Sequence, residues 1–123
     1  MEKKINLLVS LAIGILLVIS PLILAETGSW KFNLERDIIY QGKTISQGSY
    51  TFSLIEEEDK PYIVIKKKDE VLVKELAIVV AAKKRYPNPI LMQTTIKQDD
   101  TTLFRIQLLW GESIYKAFFE PAK

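Results

Sequence analysis

The chain has 123 residues, 17 basic against 15 acidic side chains for a net charge of +2, and neither cysteine nor histidine. The missing histidine removes the commonest neutral-pH acid–base group and transition-metal ligand, and the missing cysteine removes thiol nucleophiles, zinc–thiolate sites, iron–sulfur clusters, disulfides and a lipid-modified cysteine. The near balance of charge gives no field of the kind that attracts nucleic acid.

Lys3 and Lys4 precede an apolar run from Ile5 to Leu24. Lysines on that side hold the N-terminus in the cytoplasm. Pro21 breaks the run near its end, and Ala25 supplies a small residue for signal peptidase. Residues 1–25 therefore read as a signal peptide with a hydrophobic helix, cut between Ala25 and Glu26. The alternative is an uncleaved membrane anchor, because the run, interrupted only by Asn6, Ser10, Gly14, Ser20 and Pro21, is twenty residues long, close to the ~20 that span a bilayer. Either reading puts the remaining chain outside the cytoplasm, secreted or periplasmic in the first case and membrane-anchored in the second. Residues 26–123 are enough for one small domain.

Glu26 to Ser29 is a polar lead expected to be mobile. Trp30, Phe32 and Leu34 then alternate with Lys31, Asn33 and Glu35, the period-two pattern of a strand. Glu35-Arg36-Asp37 breaks it, and Ile38-Ile39-Tyr40 is a short second strand or the continuation of the first past a bulge. Gly42 and Gly48 bracket Lys43 to Gln47, and Gly48 suits a turn or bulge at positive φ. Tyr50, Phe52 and Leu54 then alternate along the next strand. Tyr50 is placed to bury its ring and bond its hydroxyl to backbone at the rim, a corner-fixing device of β-sandwiches.

The run Gly42-Lys43-Thr44-Ile45-Ser46-Gln47-Gly48-Ser49-Tyr50 resembles a motif recurrent in small exported bacterial proteins, usually written G-K-T-L-P-A-G-x-Y. Gly42, Lys43, Thr44, Gly48 and Tyr50 match. Ile45 stands in place of leucine, and Ser46-Gln47 in place of Pro-Ala. Those families are uncharacterised predicted β-sandwiches, so the resemblance implies a fold and an exported location and carries no activity.

Glu56 to Pro61 reads as a hairpin loop. Tyr62 to Ile65 is a β-branched strand ending at Lys66-Lys67-Lys68, and Asp69-Glu70 turn the chain. Val71 to Ala82 is a long β-branched stretch with a bend expected at Lys74-Glu75. Lys83 to Pro89 should be a loop, since two prolines oppose regular pairing. Ile90 to Lys97 is a strand, Gln98 to Thr101 a tight turn, and Leu103 to Trp110 another strand. Gly111-Glu112 should turn a second hairpin before Ser113 to Glu120. Seven to nine strands with short turns predict an all-β fold, an antiparallel sandwich of immunoglobulin-like kind. Trp30, Phe52, Phe104, Trp110 and Phe119 are the core candidates.

No residue is assigned as catalytic, cofactor-binding or metal-ligating. Glu56 to Asp59 has carboxylates for a hard cation but lacks the alternate spacing and glycine of a calcium loop, and reads as solvated. Lys66 to Lys68 and Lys83 to Arg85 would together make a basic patch for anionic lipid or polysaccharide. Each run also sits at a strand end, where lysine prevents edge pairing, and that reading is preferred. Tyr115, Phe118 and Phe119 share one strand, so neither of its faces is polar. A face left uncovered offers an apolar surface to a ligand or a second subunit. The function expected is a non-catalytic exported module that binds or assembles with an unknown protein or envelope component. The alternative is a small carrier of an apolar ligand in an internal cavity.

Overall fold

Period-two alternation gives each extended segment one apolar side, and two sheets bury those sides against each other. The computed structural model describes residues 25–123. The hydrophobic signal helix expected before Ala25 lies outside them. Eight strands follow in order: β1 (Ala25–Leu34), β2 (Ile38–Tyr40), β3 (Lys43–Ile45), β4 (Gly48–Glu57), β5 (Lys60–Lys67), β6 (Glu70–Leu76), β7 (Ile78–Gln98) and β8 (Thr101–Pro121). They form two antiparallel four-stranded sheets, ordered β1-β4-β5-β6 and β3-β2-β8-β7. Leu34, Tyr50, Phe52, Ile63, Ile65 and Val73 of the first sheet meet Ile38, Ile45, Phe104, Ile106, Ala117 and Phe119 of the second in one core. The fold is thus all-β and sandwich-like, as the sequence pattern predicts.

Local chemistry sets the tight turns. Tyr40 pairs with Lys43, and Glu57 with Lys60, leaving two-residue loops. Both residues of each loop have positive φ: Gln41 and Gly42, then Glu58 and Asp59. That is the type I′ geometry whose twist matches the strands it joins. At the motif, Gly48 has φ 150° and opens β4. Tyr50 is buried and donates its hydroxyl to the Ser46 carbonyl, fixing the corner as expected.

Five details differ from the sequence reading. The polar lead is part of β1: Gly28 and Ser29 pair with Leu54 and Ser53, and the Thr27 hydroxyl donates to the Leu54 carbonyl at 2.9 Å. The break in the long apolar stretch falls at Ala77, not at Lys74-Glu75. There the buried Ala77 donates its N–H to the Pro61 carbonyl, and the chain crosses to the other sheet. Pro87 and Pro89 lie within β7 rather than in a loop between strands. Their effect is on register, which shifts between Ala81 and Tyr86 and again between Tyr86 and Ile90, because proline has no N–H for the ladder.

The fourth concerns Gly111. β8 is assigned as one strand of 21 residues, which fully extended would span roughly 66 Å. Yet Thr101 to Leu103 and Glu120 to Pro121 line a single cleft. The strand therefore doubles back on itself, and Gly111, with φ 66°, is the residue suited to the reversal. The inward positions change parity across it, from Phe104, Ile106 and Leu108 to Ala117 and Phe119. The expected turn is present as a reversal inside one continuous strand.

The fifth concerns the core. Phe52, Phe104 and Phe119 are buried, but Trp30 and Trp110 are half-buried at its margin. Their rings meet edge to face with centroids 5.1 Å apart. The Trp30 indole lies over Gly28, where a Cβ would fall 2.1 Å from the ring, so only glycine leaves it room.

Candidate functional site

Directly opposed residues of paired strands share a face of the sheet. In the β7–β8 layer, Leu91 pairs with Leu108, Gln93 with Ile106, Thr95 with Phe104, and Val79 with Tyr115. Ile106, Leu108 and Phe104 are buried and Tyr115 packs on the core, so this set faces inward, except that Val79 at the start of β7 stays 43% exposed beside Tyr115. The intervening pairs take the other side: Ile90 with Leu109, Met92 with Gln107, Thr94 with Arg105, Ile96 with Leu103, Ile78 with Lys116, and Val80 with Ile114, of which Leu109 is buried. Phe118, between buried Ala117 and Phe119, also points out. The layer thus presents an outward surface that is largely aliphatic, interrupted by Arg105, Gln107 and Lys116.

Among the described residues the large hydrophobics left exposed are Val71 and Leu76 on β6 and Ile78, Val79, Val80, Ile90 and Met92 on β7. Ile78 is 56% exposed and Met92 46%. The five on β7 flank the segment where register breaks. That segment carries Lys83, Lys84 and Arg85, all exposed, followed by Tyr86. The Lys84 ammonium sits 5.3 Å from the centre of the Tyr86 ring. Arg85 reaches Glu112 at 3.4 Å across an exposed pair. Cations and aliphatic side chains therefore share one bend of the layer.

The bend lies at the end of the sandwich where β1 begins. Ala25 pairs with Glu56, Glu56 with Pro61, and the Pro61 carbonyl receives the Ala77 N–H just before Ile78. Trp110, beside Gly111, meets Trp30 five residues into β1. The far half of the layer is held to β1 by one side chain. The Gln93 amide accepts from the Glu35 N–H at 2.8 Å and donates to the Asn33 carbonyl at 2.8 Å. Arg36 adds a bond to the Thr95 hydroxyl at 3.2 Å. Gln93 thereby imitates a neighbouring strand, a role that nothing in its sequence context signals beyond a polar residue at an inward position.

The other candidates are placed as follows. Tyr115 and Phe119 belong to the core side and Phe118 to the outward side, so the strand's two apolar faces divide between packing and surface. Lys66 to Lys68 and Lys83 to Arg85 do not form one patch. Lys67 pairs with Glu70 at the β5–β6 turn, the opposite end of the first sheet from Pro61 and Ala77. Glu57 holds Lys74 through both oxygens, at 2.9 and 3.0 Å, while Glu58 and Asp59 form the turn. Among the described residues no three carboxylates gather as a cation site. Glu75 pairs with Ile63 and so shares its core-facing side; desolvation there raises its carboxyl above the ordinary range. Two surface clefts, of about 510 and 620 Å³, are lined mainly by polar and charged residues, including Glu35, Arg36, Asp37, Gln93 and Asp100.

Comparison of the chain with protein-family models, with curated proteins and with solved structures returned no match.

Proposed function

We propose that the chain is a non-catalytic exported module that binds or assembles through the outward face of the β7–β8 layer. The observation that carries this reading is the gathering of exposed Ile78, Val80, Ile90 and Met92 on the two arms of β7 that flank its bend. Scattered exposed apolar residues need no explanation, whereas a contiguous group on a sheet face marks a contact surface. The chemistry agrees: without histidine or cysteine, and with Glu57 engaged by Lys74, the surface offers contact rather than reaction. The immunoglobulin-like type belongs to this proposal at the level of two packed antiparallel layers. Its strand connectivity is its own, since β1-β4-β5-β6 over β3-β2-β8-β7 is not the order of an immunoglobulin constant domain. The carrier alternative requires an enclosed apolar cavity, and the two polar clefts lend it no support.

A photo-crosslinking residue introduced at Met92 in producing cells tests the proposal, with Lys31 on the first sheet's outward side as control. Adducts at position 92, to protein or lipid, and none at 31 are the expected result. No adduct at 92, or equal labelling at both, overturns it.

A further inference from the structure

Resting on that reading, we infer that the occupant of the β7–β8 bend is the surface of an anionic lipid bilayer. Three independent features of the bend agree. Its exposed side chains include aliphatic ones (Ile78, Val79, Val80, Ile90, Met92) and cationic ones (Lys83, Lys84, Arg85), with Pro87, Asn88 and a single carboxylate, Glu112, beside them. Aliphatic groups gain by leaving water for the acyl boundary, and adjacent cations gain from anionic headgroups within a Debye length. Tyr86 stands between them with Lys84 over its ring, and an amphipathic ring with a nearby cation is suited to the headgroup level.

The third feature is position. β1 begins at this same end, in the row Ala25–Glu56–Pro61 that hands the chain to Ile78 through Ala77. The 24 residues before Ala25 include the apolar run Ile5 to Leu24. Where that run stays attached, it tethers this end of the domain nearest the lipid. The carboxylates Glu56, Glu58 and Asp59 lie at this end too, but on the other sheet. Contact is therefore made with the β7–β8 side tilted toward the bilayer and the β4–β5 turn tilted away. A protein partner would be served by the aliphatic surface alone; the three cations beside it favour lipid.

The absence of cysteine makes the test clean, because one introduced thiol is the only one. The full chain carrying Ile90→Cys, labelled with an environment-sensitive fluorophore, is mixed with vesicles of phosphatidylcholine and phosphatidylglycerol. Lys68→Cys, in the turn at the other end, is the control that subtracts any binding by the N-terminal run. The label at position 90 is expected to shift to the blue and to be quenched by lipid-borne quenchers, and the label at 68 to do neither. Vesicles of phosphatidylcholine alone should give a much smaller response. Replacing Lys83, Lys84 and Arg85 by glutamate should weaken the response at 90 by at least about a hundredfold at low salt, since each basic residue contributes roughly a factor of five. An unchanged label at 90, or equal response to neutral vesicles, overturns the inference. A blue shift without vesicles that grows with protein concentration also overturns it, in favour of a second copy. That last result leaves the proposed contact face standing, whereas absence of any Met92 adduct in cells removes the face itself.

Discussion

The two ends of the sandwich carry matching runs of three cations, Lys66 to Lys68 at the β5–β6 turn and Lys83 to Arg85 at the β7–β8 bend, and they stand in different surroundings. At the turn, Asp69 and Glu70 follow directly, Lys67 lies 5.2 Å from the buried Tyr50 ring, and one large exposed hydrophobe, Val71, is near. At the bend, the flanking strand exposes five large hydrophobes and the strand register is broken twice. The turn's charges close a hairpin whose strands are already paired. The bend's charges border a surface that water does not favour. A charge run takes its meaning from what stands beside it in space, and three consecutive cations alone do not say which surroundings they will have.

The comparison depends on a core common to both ends. Phe52→Ala, at 1% exposure in the middle of β4, should cost about 3–5 kcal/mol in urea unfolding. Hydrogen exchange should accelerate at both ends together. Protection retained at the β5–β6 turn alone would show two independent units and dissolve the comparison.

Gly111 separates the ends more sharply. Its φ of 66° is costly for any residue with a Cβ, so Gly111→Val should lose roughly 1–3 kcal/mol. Exchange should rise for residues 82–89 and 110–113 and stay unchanged for 66–70. A smaller effect belongs to Gly28→Ala. The new methyl must displace the Trp30 ring, and with it the edge-to-face contact to Trp110, worth about 0.5–1.5 kcal/mol. Near-ultraviolet circular dichroism should lose the coupled-tryptophan signal while far-ultraviolet bands persist.

Glu75 gives an effect with a sign set by pH. Its folded-state pKa is raised by desolvation, so the folded protein holds the proton more tightly than the unfolded chain. Its contribution is most favourable below the ordinary carboxylate range and declines as pH rises through the folded value. Glu75→Gln removes that decline. The variant should melt above the parent at neutral pH and with it at pH values below the ordinary range, as read by thermal melts across pH. Equal melting at all pH values would place Glu75 in full contact with water.

Much of the fold was legible from period and punctuation. The alternation Trp30-Phe32-Leu34 and Tyr50-Phe52-Leu54 sets inward faces directly, and a hairpin does fall within Glu56 to Pro61, though pairing of Glu56 with Pro61 and Glu57 with Lys60 narrows the expected loop to Glu58-Asp59. What was hidden depends on partners distant in sequence. Ser29 looks like a mobile lead until Ser53 meets its hydroxyl at 3.1 Å. Ala77 looks like one more apolar residue until Pro61 accepts its N–H. The outward surface was half visible: an apolar residue at every position of 117–119 requires two apolar faces, but the strand alone does not say that Ile78 and Val80 extend the outer one. Gln93 was unreadable, because a side chain bridging Asn33 and Glu35 is defined by a contact some sixty residues away.

The smallest expected effect bears on the cations of the bend. Arg85 and Glu112 form an ion pair at 3.4 Å with side chains 72% and 77% exposed. At that exposure water and salt screen most of the attraction, and ordering two long side chains costs entropy. A double-mutant cycle with Arg85→Ala and Glu112→Ala should give a coupling of about 0–0.5 kcal/mol. Lys74 and Glu57, half as exposed and bonded through both carboxylate oxygens, should couple more strongly in the parallel cycle. The contrast matters because a guanidinium held firmly by Glu112 would not be available to a headgroup. Weak coupling at 85–112 leaves the third cation of the bend free to act with Lys83 and Lys84. A coupling as strong as that of 57–74 would make Arg85 a structural residue, and the charge of the bend would fall to its two lysines.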